Sequence, residues 1–457
     1  MQIKNMETNA IYEGDNLEIM SKFPDKSVDL VYIDPPFFTN RHFEIIWKDG
    51  AEKRAFQDRW EGGIEHYITW MEPRLRECYR LLKDTGTMYL HCDWHASAHL
   101  RIQMDKIFGD KNFINEIIWK RHTVHSDTKQ GAKHLGRIHD VILVYSKSKN
   151  YIWNPHYEKY TKEYTDSAYN KTDKTGKPFK TSDLSAAKPG GETDYEWKGH
   201  RPPKGRYWAY SKANMEKFEK EGRIYYSDSG KPYMKQYLDE MPGVMLQDIW
   251  DDLKFEGANE SMGYPTQKPV ALLERIIKLS TDKSGLVFDA FCGCGTALVA
   301  AQRLGRRWVG IDVSPTACKL MQKRLRKLFS IDAKIVRGEV DLNYVKKLAP
   351  FEFQNWVVVD KFLGRVSPTK SRDMGIDGLT PQVTGGFPIQ VKQSPDVGRN
   401  VVDNFETAIR RMGKKKGYIV AYSFGKGAYE EVARVKNQEG LDITLRTVEE
   451  LLDGKVE

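Results

Sequence analysis

The chain has 457 residues, enough for two or three domains with substantial cores, and its mixed composition excludes a fibrous or disulfide-scaffold protein. Lys and Arg number 72 against 63 Asp and Glu, a net charge of +9, and 12% of residues are aromatic, a balance that suits a polyanionic partner such as nucleic acid. No apolar run reaches the about 20 residues of a membrane span, and Met1-Gln2-Ile3-Lys4 lacks a secretory core, so a soluble, cytoplasmic protein is expected. Five cysteines without framework spacing predict reduced thiols, and Cys292 and Cys294, with no matching Cys or His pair, read as small loop residues.

Along the chain, Gly14-Asp15-Asn16 precedes a short amphipathic helix, with Asp15 either its N-cap or a ligand-binding carboxylate. The apolar run Val28–Ile33 reads as a buried parallel strand ending in Asp34-Pro35-Pro36-Phe37. Consecutive prolines stop the strand and hold an extended tip at its carboxyl end, where open α/β sheets bind ligands. There Asp34, the Pro35 carbonyl and the Phe37 ring would offer acceptors for an amine and a face for stacking, which suits an extrahelical adenine; taken alone, the motif fits an ordinary strand-ending turn as well. The polar, aromatic segment 41–63, with Phe43, Trp47, Phe56 and Trp60, reads as a flap beside that site. A helix over Tyr67–Leu82, a strand at Thr87–Cys92, a helix at Ala98–Phe108 and strands at Phe113–Trp119 and Val141–Tyr145 predict parallel crossover units. His91, Asp93 and His95 lie too far from further ligands to predict a metal site, and 120–137 reads as a basic, His-rich loop.

From Tyr151 to Leu246 the chain turns rich in Lys, Tyr, Gly and Pro, with Tyr195-Glu196-Trp197-Lys198 and Arg206-Tyr207-Trp208 interleaving aromatics and cations. That pattern fits either a surface contacting bases and phosphates or a solvated insertion with structural tyrosines. Regular structure resumes at Pro265-Thr266-Gln267-Lys268-Pro269. A strand at Leu286–Asp289 then runs into Phe291-Cys292-Gly293-Cys294-Gly295-Thr296, a helix, and a strand ending at Asp312. Small turn residues between two strand-ending acids predict a nucleoside cofactor, with Asp312 accepting from ribose hydroxyls. The third glycine of the dinucleotide fingerprint is missing, which favours an adenosine with an amino-acid tail over a pyrophosphate.

After the basic helix Lys319–Phe329, a β-rich linker is expected to reach Leu348. Phe351-Glu352-Phe353-Gln354 then opens a helix to Leu363, Asp377 sits in a Gly-rich turn, and Ile389-Gln390-Val391-Lys392 is a strand. An Asp followed by a polar-x-Lys pair could hold a divalent metal and a water-activating lysine. The run Lys414-Lys415-Lys416 reads as a solvated helix end or a phosphate contact.

Together, Asp34-Pro35-Pro36-Phe37, Phe291-Cys292-Gly293-Cys294-Gly295, Thr266-Gln267-Lys268-Pro269 and His139–Leu143 strongly resemble the amino-group DNA methyltransferases that use S-adenosylmethionine. The catalytic motif precedes the cofactor motif, the order of their β group. The resemblance implies an α/β chain: a Rossmann-like methyltransferase sheet with an inserted target-recognition region, plus a smaller C-terminal restriction-endonuclease-like α/β domain of the Mrr type. Its boundaries would be 1–150 and 247–345 for the methyltransferase halves, 151–246 for the insertion and 346–457 for the C-terminal domain. Asp34, Pro35, Pro36 and Phe37 would be catalytic; Asp15, Asp289, Phe291, Gly293, Gly295, Thr296 and Asp312 would hold S-adenosylmethionine. Glu352, Asp377, Gln390 and Lys392 would form the nuclease site, with Asp377 holding Mg²⁺ if the domain cleaves. The expected function is methyl transfer to adenine N6 in duplex DNA, joined to a restriction-type nuclease. Cytosine N4 methylation, or a silent DNA-binding tail, stand as alternatives. Double-stranded DNA is the expected partner, and a second copy of the chain is allowed as well as a monomer.

Overall fold

The computed structural model describes residues 6–38, 41–46, 52–58, 60, 62–121, 133–188, 192–254, 267–338, 340–348, 350–367 and 375–456. Trp47, the side chains of Phe43 and Phe56, most of the His-rich loop, and Pro265 and Thr266 lie outside the described residues. Two compact units form, one of residues 1–154 with 248–457 and one of residues 155–247.

The larger unit is built on a nine-stranded sheet in the order Ile249–Trp250, Phe113–Lys120, His139–Ser146, Leu82–Cys92, Val28–Ile33, Leu286–Asp289, Arg307–Asp312, Ala10–Glu13 and Lys334–Arg337. Val28–Ile33 sits near its centre and is buried at every residue, as its unbroken apolar pattern requires of a strand covered on both faces. It pairs in parallel with Leu286–Asp289 on one side and Leu82–Cys92 on the other. The two strands that carry the sequence motifs are therefore neighbours, and both motif loops leave the same edge of the sheet.

Two expectations are corrected. The sheet is mixed, because His139–Ser146 runs antiparallel to both Leu82–Cys92 and Phe113–Lys120. A parallel return calls for a crossover element, usually a helix, whereas the sequence from Lys120 to Arg137 reads as a loop. Nor is the stretch after Phe329 a β-rich linker. Lys334–Arg337 joins the sheet beside Ala10–Glu13, and Leu342–Lys347 is a helix whose N-cap Asp341 accepts from the Tyr344 amide at 2.7 Å.

Helices cover the sheet with the faces their patterns dictate. Val270–Ser280 buries Leu272, Leu273, Ile276 and Ile277, and Pro315–Phe329 starts with Pro in its first turn behind the cap Ser314. Among the described residues no helix is long and apolar enough to cross a membrane.

The C-terminal residues carry a five-stranded sheet of their own, ordered Arg365–Val366, Gly378–Leu379, Pro388–Val391, Lys416–Ala421 and Asp442–Thr447. One face packs on Val345, Phe353, Trp356 and Val448, the other on Phe405, Ile409 and Val435. The helix expected to reach Leu363 is α-helical only over Pro350–Asn355 and continues as a π-helical turn at Trp356–Lys361. The lysine run follows the end of the helix Arg399–Arg411: the Lys414 amide bonds back to the Ile409 carbonyl at 3.2 Å and its Nζ to the Gly385 carbonyl at 2.7 Å, and Lys416 begins the next strand.

The smaller unit holds a four-stranded antiparallel sheet around Leu184, Trp197, Trp208, Met215 and Ile224. Trp197 and Trp208 are buried, their indole N–H groups on Tyr226 Oη (3.1 Å) and the Tyr195 carbonyl (2.9 Å). These tryptophans form the core of the insertion, and alternation with cations did not mark them as surface.

Candidate functional site

Both motif loops open into one cavity of about 460 Å³. It is lined by Asp34, Pro35, Pro36 and Phe37, by Asp289 through Cys294 and Thr296, by Asp312 and Ser314, and by Gly14, Asp15 and Asn16. Of the residues expected to hold a cofactor, Asp15, Asp289, Phe291, Gly293, Thr296 and Asp312 line it directly. Gly295 does not line it but caps the helix Thr296–Arg303 that follows. At φ +77° a side chain is disfavoured, and a Cβ there would stand 2.7 Å from Met321 Cγ.

The turn after Asp289 is tied to the next strand. Asp312 accepts from the Gly293 amide (2.8 Å) and from the Ser314 amide (2.9 Å), while Asp289 accepts from the Phe291 amide (3.0 Å). Burial pushes Asp312 up to about 6, with those two amides pulling against it and Glu352 and Glu13 adding to the rise. Asp289 is likewise raised, by burial first and then by the neighbouring carboxylates of Asp34 and Asp312.

Gly14-Asp15-Asn16 latches onto the same loops. The Gly14 amide bonds the Asp312 carbonyl at 3.0 Å, and Asn16 Nδ2 donates to the Ala290 carbonyl at 2.9 Å. Asp15 satisfies both readings of its position: it caps its helix through the Leu17 and Glu18 amides and also pairs with Arg74 at 2.8 Å while lining the cavity. Arg74 in turn stacks over Trp70, 3.8 Å from its ring centre.

At the other end, Lys268 Nζ lies 2.5 Å from Asp34 Oδ2 and 4.9 Å from the Phe37 ring centre. Asp34 Oδ1 is buried with no hydrogen-bond partner among the described residues. Phe37 stacks on His91, ring centres 5.7 Å apart and planes 22° apart. His91 is fully buried, bonded to Tyr32 Oη at 2.9 Å and to Asp140 at 3.2 Å. His91 is thus engaged on both ring nitrogens by Tyr32 and Asp140, and His95 pairs with Asp93 at 2.7 Å. Lys268 and His91 were not singled out as site residues from sequence. The Gln267-Lys268-Pro269 run carried a signal for the first, whereas the second needed the strand pairing.

The remaining expected residues lie in the C-terminal sheet. Asp377 accepts from the Val391 amide at 2.8 Å, and its carbonyl accepts from Gln354 Nε2 at 2.8 Å. Gln390 is buried with Oε1 lacking a hydrogen-bond partner among the described residues, and Lys392 follows its strand, half-buried. Glu352 stands elsewhere. Its carboxylate takes the Ser314 hydroxyl and, at 3.2 Å, that of Thr316, and it lines the cavity that Asp34 and Asp312 share. Two residues apart on a helix, Glu352 and Gln354 face in different directions. It is Gln354 that turns towards Asp377. Among the described residues the one cluster of three acids, Asp403, Glu406 and Glu431, is laced with Arg399, Arg410 and Arg434.

The DNA methylase family model matches residues 28–323, and the restriction endonuclease family model matches residues 345–453. The chain belongs to the DNA methylase family and carries a restriction endonuclease family domain behind it. The type II methyltransferase M.EcaI of Enterobacter cloacae is 34% identical over 305 residues, 65% of this chain and 65% of that protein. The Mod subunit of the type III restriction-modification enzyme StyLTI of Salmonella typhimurium is 30% identical over 333 residues, 65% of this chain and 50% of that protein. The chain therefore spans between half and two thirds of these relatives. A solved M1.HpyAVI–SAM complex aligns with 17% identity and a TM-score of 0.37 over 69% of this chain and 98% of that one.

Proposed function

We propose that the chain is an S-adenosylmethionine-dependent DNA methyltransferase acting on the N6 amine of an adenine flipped out of duplex DNA, fused to a metal-dependent endonuclease domain. The observation that carries this reading is the single cavity that joins Asp34-Pro35-Pro36-Phe37 to Asp289, Phe291, Gly293 and Asp312. The residues fit the cofactor: a Gly-rich turn that leaves room at the backbone, a cavity-lining carboxylate at Asp312 that would accept from ribose hydroxyls, and acidic walls suited to a sulfonium cation.

When bound, S-adenosylmethionine supplies an electrophilic methyl carbon on a sulfonium that leaves as a neutral thioether. What the chain must supply is a nucleophile, because the lone pair of an exocyclic amine is delocalised into its ring. Asp34 Oδ1, buried and without a hydrogen-bond partner among the described residues, accepts one amine hydrogen, and the Pro35 carbonyl accepts the other. That pulls the nitrogen towards sp³ and localises its lone pair for attack. The Phe37 ring offers the face against which the base stacks, itself backed by His91. After the nitrogen–carbon bond forms, the surplus amine proton leaves through the Asp34 carboxylate. Lys268 balances the charge of that carboxylate throughout.

In the C-terminal domain, Asp377 and Gln390 Oε1 would hold Mg²⁺, which would supply Lewis-acid help for phosphodiester cleavage, with Lys392 beside it to activate a water. One experiment addresses both activities. Purified chain is incubated with unmethylated plasmid and Mg²⁺, with and without S-adenosylmethionine; methylated adenine and site-specific breaks are expected. Methylated cytosine in place of adenine would overturn the choice of base. Methylation without breaks under every condition would reduce the tail to a DNA-binding module.

A further inference from the structure

The cavity read above as the cofactor pocket is not closed by methyltransferase residues alone. Lys347, Leu348 and Glu352 line it, and all three fall within the stretch matched by the restriction endonuclease family. The two parts meet through polar contacts at this point. Asn355 donates to Thr316 Oγ1 at 3.0 Å, and Lys319 pairs with Asp360.

Glu352 is the informative member. Ser314 joins it to Asp312, giving its amide to the Asp312 carboxylate at 2.9 Å and its hydroxyl to that of Glu352. Two carboxylates are thus held side by side on the cavity wall by one serine. A carboxylate has about four acceptor positions, and the Ser314 hydroxyl with the Thr316 hydroxyl and amide take three of those on Glu352, leaving one for a further donor. Adjacent acceptors of this kind match a vicinal diol better than they match another anion. We infer that Glu352 is a cofactor-binding residue supplied by the endonuclease domain, accepting a hydrogen bond from a sugar hydroxyl of the adenosyl group beside Asp312. This rests on the reading of the cavity as the S-adenosylmethionine pocket. The same short helix, Pro350–Asn355, carries Gln354 on the Asp377 carbonyl, so the donor pocket and the nuclease turn are gripped by one element.

The test is equilibrium binding of S-adenosylhomocysteine to the full chain by calorimetry, comparing wild type, Glu352→Gln and Asp360→Asn. The last breaks a contact of the same interface away from the cavity. Glu352→Gln is expected to weaken binding about tenfold or more, the loss of one charge-assisted hydrogen bond, with Asp360→Asn within about twofold of wild type. An analogue lacking both ribose hydroxyls should bind wild type and Glu352→Gln alike, which loosening of the interface would not produce. Wild-type affinity in Glu352→Gln, or equal losses in both variants, would overturn the inference. Failure of the wild type to bind would instead overturn the pocket reading beneath it.

Discussion

Lys268 Nζ stands 2.5 Å from the Asp34 carboxylate across 234 residues of sequence, both side chains largely shielded from water. The pair ties the helix that opens after Pro269 to the strand that ends in Asp34, and so holds the two halves of the methyltransferase sheet at the point where the chemistry is proposed.

Breaking that pair from either side should have different consequences. Asp34→Ala is expected to abolish methyl transfer while cofactor binding persists, since Asp34 acts on the amine; substantial residual activity would refute its role. Lys268→Ala leaves a shielded carboxylate without its partner and should lower stability by up to about 3 kcal/mol as well as kcat. Thermal unfolding of the two variants separates these effects.

His91 is predicted to act through Phe37. Replacing it with Ala removes the surface on which that ring rests, strands the Tyr32 hydroxyl in the interior and leaves Asp140 with Arg121 as its charged partner, at a cost of about 2–4 kcal/mol. In a folded variant, kcat should fall while the dissociation constant for S-adenosylhomocysteine stays near wild type. A loss confined to cofactor affinity would remove this assignment.

The pH dependence of cofactor binding follows from Asp312. Burial raises its folded-state pKa to about 6, so in the free protein it is protonated below that pH. Its ionised form is the better acceptor for hydroxyls, and affinity should weaken as pH falls through about 6, by at most tenfold per unit. For stability the sign is reversed: the folded state holds this proton more tightly than the unfolded chain, so the contribution of Asp312 declines as pH rises from about 4 to 6. Asp312→Asn should bind more weakly and lose the pH dependence. Affinity unchanged by that substitution would remove Asp312 from the cofactor site.

In the C-terminal domain, Lys392→Ala should leave methylation intact and stop Mg²⁺-dependent strand breaks on a plasmid gel. Cutting at the wild-type rate would move the nuclease site elsewhere.

Much of this was legible in the sequence, for physical reasons. A buried strand with two prolines at its end and a strand with a Gly-rich turn each announce themselves locally, and Asp34 and Asp289 indeed end adjacent parallel strands. What depended on tertiary pairing was not legible. The antiparallel turn-back at His139–Ser146 breaks no local rule, and only its neighbours reveal it. Trp197 and Trp208 alternate with cations as a DNA-reading surface would, yet composition does not say which face of a chain is inside. Glu352 shares a helix with Gln354, and only the docking of that helix decides that the acid faces the methyltransferase pocket while the amide faces Asp377.

The most direct test of the central claim is nucleoside mass spectrometry of unmethylated duplex DNA after incubation with S-adenosylmethionine and either wild-type chain or Asp34→Ala. N6-methyladenine with wild type and none with Asp34→Ala, both binding S-adenosylhomocysteine equally, is the predicted result. Methylated adenine from Asp34→Ala at the wild-type rate, or no methylated base from a wild type that binds cofactor and DNA, would contradict it.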